Sequence, residues 1–182
     1  GGLSALLGFM AQICNILFAA HALAHTDAMQ KLLSRIAKIP KTATQAYVLV
    51  AIISGVSNLL AWSLGLIVGA IIARQVAIEA DKKGLKIHYP LLVATAYAGF
   101  VVWHMGYSSS SALFVATPGH ILEAEIGIIP VTETIFTTWN IVIAVVTLIG
   151  IAIIAPMMRP DDKDIIRVKS KDLLKSIPKK LE

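Results

Sequence analysis

All sixteen Lys and Arg residues of this chain fall into three clusters, and the long stretches between the clusters contain none. Lys31, Arg35, Lys38 and Lys41 form the first cluster, Arg74, Lys82, Lys83 and Lys86 the second, and the third begins at Arg159 and runs through the tail. Residues 3–24, 42–73, 89–117 and 139–158 are left without a formal charge. About 20 consecutive apolar residues suffice to cross a bilayer as a helix. The pattern therefore implies an all-α integral membrane fold, and a mean hydropathy of +0.76 with only 15% charged residues agrees. A net charge of +5 would suggest nucleic acid in a soluble protein. Here the bases flank apolar spans, where they set topology and meet anionic headgroups, so no nucleic-acid partner is expected. The single cysteine, Cys14, has no intrachain partner and provides neither a disulfide nor a thiolate metal site.

Residues 3–24, 89–117 and 139–158 read as spans, and residues 1–158 as one membrane domain. Residues 159–182 read as a cytoplasmic basic tail or linker, weakly amphipathic or simply solvated. The chain opens on Gly1-Gly2, with neither an initiator Met nor a basic leader, and is read as a fragment of a longer polypeptide.

Residues 42–73 are too long for one span and too short for two spans and a turn. Basic connections stay on the cytoplasmic side. A single crossing would strand one four-residue basic cluster outside, whereas entry and return leaves all sixteen bases inside and none in the outer connection, residues 118–138. A re-entrant hairpin is therefore expected over 42–73, with its turn near Ser57 and Asn58. Such a tip is tolerated at membrane depth only where protein or a water-filled cavity surrounds it.

The stretch 89–117 carries its own interruption. Gly106-Tyr107-Ser108-Ser109-Ser110-Ser111 is poor material for a continuous helix. An unwound segment is expected there, followed by a short helix over 112–117. A hairpin tip and a broken helix at similar depth would bring helix N-termini, free carbonyls, serine hydroxyls and an asparagine amide to one place. That chemistry suits a small monoanion together with an alkali ion. Ser54, Ser57, Asn58, Gly106, Ser108, Ser109, Ser110 and Ser111 are the candidate ligands. His104 joins them as the readily titratable side chain expected within a span.

Several ordered segments carry a family likeness: Arg35 to Thr42, the run Ser57-Asn58-Leu59-Leu60-Ala61-Trp62-Ser63-Leu64-Gly65 continuing to Ala70, Tyr97 to His104, Ala116-Thr117-Pro118-Gly119-His120, and Ile129 to Phe136. Over nearly its whole length the chain resembles the bacterial short-chain fatty acid transporters. That resemblance implies an ion-coupled anion carrier of two inverted repeats, each with a re-entrant hairpin and a broken helix, of which this chain would supply about one repeat and the following linker. It adds Ser63, Gly65 and Trp103 to the candidate substrate- and ion-binding residues. At the tip, dicarboxylate-carrying relatives of the superfamily have Ser-Asn-Thr where this chain has Ser57-Asn58-Leu59.

The function so implied is secondary transport of small monocarboxylates such as acetoacetate or butyrate by alternating access, in the bacterial inner membrane. No cofactor is expected beyond a coupling ion, Na+ or H+. Na+ is slightly favoured because no Asp or Glu lies in the expected spans. The expected partners are the substrate, the bilayer and the second repeat, with a homodimer left open. The alternatives are a membrane-embedded metal-dependent enzyme and a structural subunit. An enzyme would need a converging ligand set, and the pairs His21/His25 and His120/Glu123 read as interfacial polar residues instead.

Overall fold

The computed structural model describes residues 2–167, which form helices and connections with no strand among the described residues. Four helices are long and apolar enough to cross a bilayer: α1 (Gly2–Ala24), α3 (Ala43–Leu60), α4 (Trp62–Lys82) and α8 (Thr138–Met157). Between them lie α2 (Asp27–Ala37), α5 (Tyr89–Ala98), the short α6 (Ser110–Val115) and the single turn α7 (Glu123–Ile126).

Local chemistry explains most helix ends. Thr26, Thr42 and Thr137 stand at the N-caps of α2, α3 and α8, and each hydroxyl accepts a hydrogen bond from a first-turn amide. At the other end of α4, Gly84 takes φ +70°, so that its N–H reaches the Asp81 carbonyl (3.1 Å) and the Leu85 N–H reaches the Ala80 carbonyl (2.9 Å). This is the Schellman closure, which a left-handed glycine permits without steric cost.

α3 and α4 pair antiparallel, with Gly65 against Asn58 and Gly69 against Ser54. The turn falls at Ala61, beyond the expected Ser57 and Asn58. Both of those residues remain helical because the Asn58 amide bonds back to the Ser54 carbonyl one turn earlier (2.9 Å) instead of terminating the helix. α3 is the centre of the fold. Its Ser54 and Gly55 receive Gly99 of the segment after α5, and Gly55 also receives Leu148 of α8. Small residues allow this close backbone approach, which supplies packing where lipid provides no hydrophobic drive. Tyr47, Val50, Ile72, Val76 and Leu92 fill the rest of the core.

The stretch expected as a single interrupted span divides into α5, a 3-10 segment over Gly99–Met105, a break at 106–109 and α6. α6 starts at Ser110, earlier than expected, because the buried Ser109 serves as its cap.

Among the described residues, members of all three basic clusters meet at one end of the molecule. Lys83 Nζ donates to the Lys38 and Pro40 carbonyls (2.5 and 2.8 Å), Lys86 pairs with Asp162 (2.7 Å), and Arg167 approaches Asp81 (3.7 Å). The tail is also held by backbone: the Ile166 N–H donates to His88 Nδ1 (3.1 Å) and the Tyr89 N–H to the Ile166 carbonyl (2.9 Å). Both ends of the α3–α4 hairpin thus return to the same end of the fold. An amphipathic helix was one reading of the tail; residues 165–167 are not helical, and the remainder of that segment lies outside the described residues.

Candidate functional site

The N-terminus of α4 differs from those of α3 and α8 in having no side-chain cap of its own. Ala61 is extended (φ −156°, ψ 128°) and offers no side-chain acceptor. The Trp62 N–H is instead satisfied by Ser108 Oγ (3.0 Å), from the broken helix. In return, the Tyr107 N–H donates to the Leu59 carbonyl (2.7 Å) near the end of α3. Tip and break therefore satisfy each other's orphan backbone groups. Gly106 makes the approach feasible, since a Cβ there would overlap the Leu59 backbone.

Behind the tip lies a buried polar pair. Ser54 and Asn58 are both 0% exposed. The Ser54 hydroxyl donates to the Ala96 carbonyl of α5, and Asn58 Nδ2 donates to the Ser54 carbonyl (2.9 Å) and Oγ (3.4 Å). Asn58 Oδ1 is buried without a hydrogen-bond partner. An unmet buried acceptor costs roughly 1–3 kcal/mol. The amide lies against Gly65, where a Cβ would overlap it. Ser63 is buried beside the tip and Ser57 half-buried.

The remaining candidates lie around the break. His104, Ser109 and Ser111 line an open cavity of about 300 Å³ with Thr134 and Asn140. Ser110 instead faces a separate outer depression with Phe114 and His120. Trp103 stacks on Phe100 (5.7 Å) and tilts against His104 (3.6 Å) and against Trp62 of the tip (6.4 Å), a packing role that ties the two elements together. No group of three or more His, Cys, Asp or Glu that could hold a metal converges among the described residues.

Asn140 was missed from the sequence. From the start of α8 its Nδ2 donates to the Met105 carbonyl (2.8 Å), left free where the 3-10 segment ends, and to the Ile135 carbonyl (2.7 Å) of the connection before α8. Its place beside Trp139, at the head of an otherwise apolar span, was the available signal, because polar groups there are seldom idle.

The helices and this polar junction describe a multi-pass membrane protein with two interrupted elements joined in its interior. The chain belongs to the short-chain fatty acid transporter family, whose model matches residues 1–181. It is 37% identical over 180 residues to an Escherichia coli (strain K12) protein named "Putative short-chain fatty acid transporter", a match covering 96% of this chain and 40% of that protein. A Haemophilus influenzae protein of the same name is 40% identical over 162 residues, covering 85% of this chain and 35% of its own length. The chain thus spans less than half the length of these relatives. No solved structure matches it significantly. The family expected from the sequence motifs is the one found, and because it is a family of transporters the membrane-enzyme alternative is set aside.

Proposed function

We propose that this chain forms about one repeat of a secondary carrier for short-chain fatty acids, working by alternating access in the bacterial inner membrane with Na+ as the coupling ion. The unmet Asn58 Oδ1 is the observation that carries this reading. A buried carbonyl oxygen attracts a cation, and the nearby serine hydroxyls and unwound backbone can replace an alkali ion's hydration shell. The positive end of the α4 dipole at Trp62 favours a carboxylate close by. Ser54, Ser57, Asn58, Ser63 and Gly65 form the tip side of the site. Gly106 and Ser108 form its break side, with His104, Ser109 and Ser111 in the adjoining cavity.

Re-entrance belongs to the same proposal. The uncharged part of α4, residues 62–73, rises only roughly 18 Å before Arg74. A bilayer core is about 30 Å thick. The paired arm α3, residues 43–60, rises roughly 27 Å from the same basic end, still short of that thickness, which supports a tip that stops inside the membrane.

The test is butyrate uptake by the complete polypeptide in proteoliposomes, with Na+ and pH gradients imposed separately. A Na+ gradient should drive accumulation, and Asn58→Ala should raise the Na+ requirement about tenfold, the scale of losing one bond to a charged group. Accumulation driven by a proton gradient alone and abolished by His104→Gln would transfer the coupling role to His104.

A further inference from the structure

Helix α2 has two exposed ridges of opposite character lying side by side. Its inner face is settled: Leu33 and Ala37 are buried, Met29 and Ile36 pack on the core, and Gln30 bonds both the Ala24 carbonyl (2.9 Å) and the Gln75 amide (3.1 Å). The helix joins the end of α1 to the start of α3, at the end of the fold where the basic clusters gather. Lys31 and Arg35, one turn apart, form an outward ridge that Lys38 extends at the C-cap. Leu32, 51% exposed, lies roughly 60° further round at 3.6 residues per turn, and Ile39, 62% exposed, follows just past the helix end. Asp27, in the first turn, is the one acid among these bases.

We propose that α2 lies within the headgroup layer and binds anionic phospholipid, with Lys31, Arg35 and Lys38 on the phosphates and Leu32 and Ile39 in the acyl boundary. Water suits the basic ridge but not the apolar one, and hydrocarbon the reverse. Only the interface satisfies both at once. The charge is complementary to an anionic leaflet, and the long basic side chains reach the phosphates while their stems cover apolar surface. The position between α1 and α3, both apolar enough to enter the bilayer, puts the helix at the required depth. A protein partner would need to match the same narrow pairing of ridges, whereas a lipid layer does so along any helix of this kind.

The experiment uses the complete polypeptide, purified from mixed lipid and reconstituted in phosphatidylcholine vesicles with or without phosphatidylglycerol. Retained phosphatidylglycerol is counted by mass spectrometry. Neutralising Lys31, Arg35 and Lys38 to Gln should weaken retention roughly fivefold for each charge removed, whereas Lys82→Gln, at a base already paired with Glu79, should leave it near wild type. A spin label at Leu32→Cys, in a Cys14→Ser background, should be shielded from a water-soluble relaxation agent, and one at Lys163→Cys should not. Unchanged phosphatidylglycerol retention in the α2 variant overturns the proposal. So does a Leu32 label as accessible to water as the Lys163 label, a measurement that leaves all three bases of α2 in place.

Discussion

The junction between the hairpin tip and the broken helix is held by neutral groups: the Leu59 and Met105 carbonyls, the Trp62 and Tyr107 amides, the Ser108 hydroxyl and the Asn140 amide. The basic end is held largely by charge, through Lys86, Arg159 and Asp162, with Lys86 and Asp162 about half exposed. A bond in the dry interior has no water to replace it, so its loss leaves an orphan group. An exposed ion pair is readily replaced by solvent, and its contribution is small. The junction should therefore be rigid and sensitive to single atoms, and the basic end adaptable and sensitive to pH and salt.

Gly106→Val is the strongest challenge to that contrast. Its branched side chain would displace the Leu59 backbone and part the tip from the break, costing roughly 3 kcal/mol of stability and abolishing uptake. Gly150→Val on α8, where a Cβ meets nothing within 4 Å, is the control expected to melt in detergent like wild type. Equal melting of the two variants would mean that the junction is not tightly closed.

Asn140→Leu should come next, at about 1–3 kcal/mol, because two carbonyls lose their donor while the volume is nearly kept. Hydrogen exchange should rise at residues 105–109 and 135–137. If exchange there is unaltered, the break is held by other contacts.

At the basic end the expected effects are smaller and depend on pH. Hydrogen bonds from Lys86, then Arg159, hold the Asp162 carboxyl below its ordinary range. Its contribution is therefore present above the ordinary carboxylate pKa and is lost as the pH falls through the lowered value. The mobility of a spin label at Lys163→Cys should increase over that acid range, and in an Asp162→Asn background it should be high at every pH. A pH-independent mobility in wild type would remove Asp162 as the fastener. The smallest effect belongs to the Glu79–Lys82 pair along α4: Lys82→Ala should cost no more than about 0.5 kcal/mol by chemical denaturation.

Much of this arrangement was legible before any coordinates. The gaps between basic clusters located α1, α3, α4 and α8, because hydropathy is a sum over neighbours in the chain. The glycine and serine run located the break for a similarly local reason: Gly106 and Ser108 are poor helix formers wherever they stand. The exact turn was not legible. Ser57 and Asn58 have the right chemistry to end a helix, yet Asn58 spends its amide within α3, and the chain turns at Ala61, an alanine that signals nothing on its own.

The pairing across the site was also beyond reach. Nothing near Trp62 announces that its amide will find Ser108, 46 residues away, and nothing near Met105 announces Asn140. What the sequence by itself determined was which segments are apolar enough to seek lipid and where helical order fails. Only the tertiary structure decided which orphan donor meets which orphan acceptor. Those partners are chosen by how closely Gly65, Gly99 and Gly106 let separate helices approach, and that is a property of packed surfaces which no window along the chain contains.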